Sequence, residues 1–196
     1  MRKELLHGND IFVVHDFLSL EECERFIAAS EAVGYGDAPI STSGGPVMFK
    51  EIRNNDRVMI DDPATAAELY SRARPFLPDD FLIWQPCGFN ERFRFYRYAR
   101  GQEFKWHFDG EYHRENGEAS KYTFMIYLNG GVAGGETKFN LKRLGRLPKE
   151  NEVLSVVPWA GKALLFRHDV LHTGAVVLDG VKYVMRTDVM FRPTAG

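Results

Sequence analysis

The stretch "FRFYRYARGQEFKWHFDGEY" (residues 93–112) holds two runs of aromatic and β-branched-compatible residues separated by "ARGQ". Read as strands, its side chains alternate between two faces, so His107 and Asp109 look out from one surface while Phe104, Trp106 and Phe108 face the other. Such a pair is either a solvated sheet edge or part of a metal site. The same pattern continues on both sides. From about residue 82 onward, β-rich runs follow one another: "FLIW", "YTFMIYLN", "GETKFN", "EVLSVVPW", "KALLFRH", "GAVVLDG" and "KYVMRTDVMF", punctuated by Gly, Asn, Asp and Pro. Strands at this spacing predict a double-sheet jelly roll or a related barrel.

The N-terminal part reads differently. After a strand-like "DIFVVHDF", Ser19 and Glu22 form a capping box opening a helix that ends near Gly34, with Cys23, Phe26, Ile27 and Ser30 at helical spacing. Residues 34–50, rich in Gly, Ser and Pro, read as a long loop. A second helix starts with Asp62 as cap and Pro63 in the first turn, and carries Ala66, Leu69, Tyr70 and Ala73 on one stripe. The expected fold is α+β: a double-stranded β-helix (jelly-roll) core at about 81–193, with N-terminal helices (about 1–80) packed on one outer face. Residues 1–196 then form a single domain.

With 25 basic and 27 acidic residues among 196, the chain has no global electrostatic drive toward nucleic acid or an anionic membrane. Cys23 and Cys87 have no metal-binding spacing and read as free thiols of a reducing compartment. No apolar run reaches the ~20 residues of a membrane span, and the first residues lack a signal-peptide pattern. A cytoplasmic protein is expected, with no nucleic-acid or membrane partner. Oligomeric state cannot be read from the sequence.

Of six histidines, His107 is distinguished by its pairing with Asp109. A third ligand must come from elsewhere, and His172 in "FRHDVLHTG" ends a β-rich run just before a glycine. His168, four residues earlier, is a rival of the same strand parity; His113 reads as exposed. Two histidines and a carboxylate on one face of a metal leave positions open, as in non-haem Fe(II) oxygenases, although zinc hydrolases use the same set. Downstream, Lys182, Val184 and Arg186 share a strand face. Buried cations there require an anionic partner, which a dicarboxylate cosubstrate would supply.

The ordered set RYxxGQxFxxHxD, YLNxxxxGGET, GKALLF, HxG and GxKY, over about residues 90–192, resembles the Fe(II)/2-oxoglutarate-dependent dioxygenases in their prolyl 4-hydroxylase-like branch. The "FLSLEECERFI" segment resembles the family's opening helix. The resemblance implies that His107, Asp109 and His172 bind Fe(II), and that Lys182 pairs with the distal carboxylate of 2-oxoglutarate. Tyr127 would hydrogen-bond the same carboxylate, Tyr98 would lie near the keto-acid end and Thr137 would line the pocket. Related enzymes place the cation about ten or about fourteen residues after the distal histidine; this chain offers Lys182 and Arg186, the latter with Asp188 as an alternative structural partner.

The implied cofactors are Fe(II), 2-oxoglutarate and O2, with ascorbate as a candidate reductant. The implied reaction is hydroxylation of an unactivated C–H bond, with release of succinate and CO2. The substrate would be an amino acid, a peptide or protein side chain, or a small metabolite. Candidate substrate contacts are the loop at 38–58 with Arg57, and Asn90, Arg92 and Arg94. Trp106, Phe108 and Phe166 are candidate walls of the site. The competing readings are a non-oxidative cupin-like metalloenzyme and a metal-binding module.

Overall fold

The computed structural model describes residues 1–42, 45–79, 81–142 and 152–194. The chain begins with β1 (Arg2–His7), β2 (Ile11–His15) and α1 (Leu20–Val33), then β3 (Gly36–Asp37), β4 (Ile40–Thr42), β5 (Gly45–Val47), β6 (Asp56–Asp61) and α2 (Pro63–Ala73). After a 3-10 turn at Arg74–Phe76, the remaining elements among the described residues are strands: β7 (Trp84–Phe89), β8 (Arg92–Tyr98), β9 (Phe104–His107), β10 (Ala119–Tyr127), β11 (Ala133–Gly134), β12 (Thr137–Asn140), β13 (Val153–Val156), β14 (Ala163–Arg167), β15 (His172–Gly174), β16 (Val177–Asp179) and β17 (Lys182–Pro193).

Alternation decides where these strands sit. In β10, Tyr122, Phe124 and Ile126 join one buried cluster, with Cys23 of α1, Leu69 of α2, Phe95 and Met185. Met125 and Tyr127 join a second cluster, with Tyr96, Tyr98, Phe139, Val156 and Phe166. A strand buried on both faces must lie between two layers. The helices cover the outer face of a nine-stranded sheet ordered β1-β2-β14-β10-β17-β8-β6-β3, with β7 also on β17. Its inner face packs on a four-stranded sheet ordered β13-β12-β15-β9. This is the expected jelly roll with helices on one outer face.

The helix signals operate as read. The Ser19 side chain accepts from the Glu22 N–H at 3.1 Å, and the Glu22 carboxylate accepts from the Ser19 N–H at 2.8 Å. Asp62 accepts from the Thr65 N–H at 3.0 Å. Phe26 meets Phe95 and Tyr70 meets Phe89 across the helix–sheet interface.

The first eighty residues are more than helical support, since β1, β2 and β6 are strands of the major sheet. The segment 34–50, read as loop, contains three short strands, with β4 and β5 forming a hairpin; residues 43 and 44 lie outside the described ones. No described helix is long and apolar enough to cross a membrane. Both cysteines are free, and burial pushes each thiol up to about 11, leaving little thiolate near neutral pH.

Candidate metal centre

The pairing of β15 with β9 sets His172 directly across from His107, with ring centroids 4.2 Å apart. Asp109 lies just beyond the end of β9, where its N–H donates to the carbonyl of His168 at 3.3 Å. One ligand atom from each of His107, Asp109 and His172 falls within 4.8 Å of the others. The Nε2 of His107 is 3.8 Å from Oδ1 of Asp109, and that of His172 is 3.6 Å from Oδ2.

Both histidines are oriented by the backbone. Nδ1 of His107 lies 2.7 Å from the Lys105 carbonyl, and Nδ1 of His172 lies 2.9 Å from the Val170 carbonyl. A carbonyl only accepts, so Nδ1 carries the hydrogen in each ring and Nε2 keeps its lone pair, aimed inward. Burial pushes His107 down to about 3 and lowers His172. Burial alone would raise Asp109, but the Arg186 guanidinium beside it holds its carboxyl well below the usual range. Two neutral imidazole nitrogens and an ionised carboxylate converging on one point fit a divalent transition metal without any prior loss of protons.

The carboxylate is itself gripped. Arg186 Nη1 lies 2.8 Å from Oδ1, and the Thr123 hydroxyl donates to Oδ2. Arg186 also reaches Asp188 at 3.2 Å, and Asp188 takes Arg94 at 3.0 Å. Of the two alternatives for Arg186, the ion pair with Asp188 is present, and its charge is met by Asp109 as well.

Lys182 stands otherwise. It is 2% exposed, donates to the Gly135 carbonyl at 2.8 Å and sits 4.3 Å from the centroid of the Tyr98 ring. It makes no ion pair with a carboxylate among the described residues, and burial pushes it down to about 7. Lys182, Tyr98, Thr137 and Phe166 share one pocket with the His107–Asp109–His172 trio. Tyr127 is fully buried behind that wall and touches it through Thr137, 2.7 Å from hydroxyl to hydroxyl. At Gly174, an added Cβ would come within 3.8 Å of the Tyr98 hydroxyl and 3.9 Å of Lys182 Nζ, so the missing side chain leaves that end of the pocket open.

His168 is buried but stays outside the trio, 3.7 Å from Asp188, and neither ring nitrogen has a hydrogen-bond partner. His113 is exposed beside Glu111. Phe166 packs 4.5 Å from His172, whereas Phe108 is 57% exposed and Trp106 lines neither pocket at the trio. Alternation puts Phe104 on the face opposite His107, yet its ring stacks on that of His107 at 3.5 Å. The reason is a bulge: His172 pairs with His107 but Gly174 pairs with Phe104, so one strand advances three residues while the other advances two.

A second pocket opens on the other side of the trio and is lined by Arg53, Arg57, Arg94, Tyr96 and Phe108. Arg57 and Arg94 are therefore placed where substrate contacts are expected. Asn90 and Arg92 are not: Asn90 builds a turn with Arg92 and Thr187, and Arg92 pairs with Asp61 at 2.8 Å. Arg53 was not singled out by the sequence, where it is one arginine in a polar segment without a pattern.

The family model described as "2OG-Fe(II) oxygenase superfamily" matches residues 93–187. The protein named "Probable prolyl 4-hydroxylase 3" of Arabidopsis thaliana is 28% identical over 197 residues, covering 88% of this chain. The chain spans 66% of that relative's length, and 60% and 64% of two other relatives from the same plant. A crystal structure of a Pseudomonas putida prolyl-4-hydroxylase superposes with a TM-score of 0.67 at 17% identity, covering 92% of each chain. A prolyl hydroxylase from Trichoplax adhaerens, solved with a hypoxia inducible factor peptide fragment, gives 0.66 at 17% identity, covering 92% of this chain and 83% of its own. These two likenesses speak to the fold.

Proposed function

We propose that this chain is a 2-oxoglutarate-dependent hydroxylase of the 2OG-Fe(II) oxygenase superfamily, in its prolyl 4-hydroxylase-like branch, acting on an unactivated C–H bond. The observation that carries the reading is a buried lysine without a carboxylate partner among the described residues, sharing a pocket with two imidazole nitrogens and a carboxylate oxygen that converge. A hydrolytic metal site has no use for such a cation; a keto-diacid cosubstrate does.

When bound, Fe(II) and 2-oxoglutarate supply the oxidative chemistry, coupling decarboxylation to succinate and CO2 with transfer of one oxygen atom of O2 to the substrate. The protein's part is placement. His107, Asp109 and His172 hold the metal, with Lys105 and Val170 carbonyls fixing the rings and Arg186 and Thr123 fixing the carboxylate. Lys182 takes the distal carboxylate of the cosubstrate. Tyr127 holds Thr137 against that end of the pocket, and Tyr98 bounds it beside Lys182. Phe166 and Phe104 close the surroundings of the imidazoles to water. The domain is read as 1–196, and two free cysteines accord with a cytoplasmic setting.

The test is anaerobic addition of Fe(II) and 2-oxoglutarate to the purified protein. A visible charge-transfer band that needs both, followed by succinate release on admitting O2 with ascorbate present, is expected. Asp109→Ala removes both signals. A folded protein that binds zinc but gives neither band nor succinate would transfer the site to a non-oxidative metalloenzyme.

A further inference from the structure

The second pocket contains more positive charge than its own acids neutralise. Of the carboxylates on its wall, Asp109 is bound by Arg186, Asp188 by Arg186 and Arg94, and Glu111 by Lys121 at 2.9 Å. Arg53 and Arg57 are left over. Neither makes an ion pair with a carboxylate among the described residues: Arg57 reaches the Pro39 carbonyl at 3.4 Å, and Arg53 Nε reaches the Asn55 side-chain oxygen at 2.9 Å.

Arg53 is the more demanding of the two. It is 5% exposed, its Nη2 has no hydrogen-bond partner, and its guanidinium is held 4.5 Å from the Tyr96 ring centroid and 4.6 Å from that of Phe104. The backbone holds it there, since Arg53 bridges Phe104 and the Ile52 carbonyl accepts from the Lys105 N–H at 2.9 Å. A cation kept this dry, with donor capacity unspent, costs stability unless something negative arrives. Phe104, which touches the Arg53 plane on one side, stacks on His107, so the guanidinium lies one ring away from the candidate metal ligand.

We infer that this pocket receives a substrate carrying a carboxylate, docked on Arg53 and Arg57, which positions the carbon to be oxidised beside the His107–Asp109–His172 trio. The inference rests on the hydroxylase reading above and adds to it the charge class of the substrate. Two chemically distinct pockets then divide the work: Lys182 selects the cosubstrate from one side and the arginine pair selects the substrate from the other.

The experiment uses the full chain loaded anaerobically with Fe(II) and 2-oxoglutarate. By calorimetry, each free L-amino acid is compared with its carboxamide, and amidated tripeptides bearing Asp or Glu with their Asn and Gln counterparts. The first arm detects a main-chain carboxylate and the second a side-chain carboxylate. At least one acid is expected to bind about tenfold or more tightly than its amide and to stimulate succinate release. Arg57→Gln, at a half-buried position, should abolish that preference without changing the affinity for 2-oxoglutarate. Arg53→Gln should do the same, and its melting temperature shows whether the fold survives. The inference is overturned if no acid outperforms its amide, if the preference survives in both variants, or if the variants lose 2-oxoglutarate binding instead. Failure of the hydroxylase reading looks different, because the charge-transfer band is then missing from the wild-type protein before any probe is added.

Discussion

Arg186 is bound to Asp109, with Nη1 2.8 Å from Oδ1, and this contact decides what the arginine can do. Its other terminal nitrogen is occupied by Asp188. On the proposed reading, Arg186 is a positioning residue for a metal-binding carboxylate. Arg186→Gln should weaken Fe(II) binding by about tenfold to a hundredfold while leaving the 2-oxoglutarate requirement at saturating metal unchanged. A variant that instead needs more 2-oxoglutarate, with normal metal affinity, would make Arg186 the cosubstrate cation.

Lys182→Met separates affinity from stability. Loss of a charge-assisted contact should raise the 2-oxoglutarate requirement about tenfold to a hundredfold. The ligand-free variant should melt at a higher temperature than wild type, because a buried ammonium with only a carbonyl and a ring as partners is replaced by an apolar chain of similar length. Thermal scans without cosubstrate measure the second effect directly.

The same lysine predicts a pH dependence. The ammonium is the form that pairs with a carboxylate, and burial lowers its pKa from 10.5 to about 7 in the ligand-free fold. Affinity for 2-oxoglutarate should therefore fall as pH rises above about 7, by at most about tenfold per pH unit, with binding at pH 8 accompanied by proton uptake. The stability of the ligand-free protein moves the other way. Between about 7 and 10.5 the unfolded chain holds the proton that the folded one has lost, so this residue makes folding more favourable as pH rises through that window. Calorimetry in buffers of different ionisation enthalpy reads the uptake, which Lys182→Met should eliminate.

Gly161 tests the fold independently of the site. Its φ is +77°, its carbonyl accepts from the N–H groups of Phe17 and Leu18, and its own N–H donates to the Tyr127 carbonyl. An added Cβ would sit 2.1 Å from the Leu18 oxygen. Gly161→Ala should cost about 3 kcal/mol or more in urea unfolding. Gly101→Ala, at φ +83° with nothing within 4 Å, should cost only about 1 kcal/mol.

Local sequence rules captured the parts of the molecule that local forces determine. The caps at Ser19 and Asp62 follow from hydrogen-bond inventory, and the strand at "YTFMIY" from its run of β-branched and aromatic residues. His107, Asp109 and His172 were legible because a motif in order constrains more than one short pattern does. What escaped needed non-local information. Phe104 changed face through a bulge that only the pairing with β15 reveals. Arg53 became a pocket wall through contacts with Tyr96 and Phe104, far along the chain. The proposed preference for Lys182 over Arg186 rests on which cation already has a carboxylate partner, and strand parity treats both alike.

β17 carries both halves of the molecule on one ribbon. Lys182, Val184, Arg186 and Asp188 point toward the trio, while Met185, Val189 and Phe191 dock the helix-covered layer. Adding or deleting one residue between positions 182 and 188 would exchange these sets, driving charges into the apolar layer and methyl groups into the site. Over generations this segment can drift by substitution but not by length, and any engineered graft must preserve its residue count before its composition.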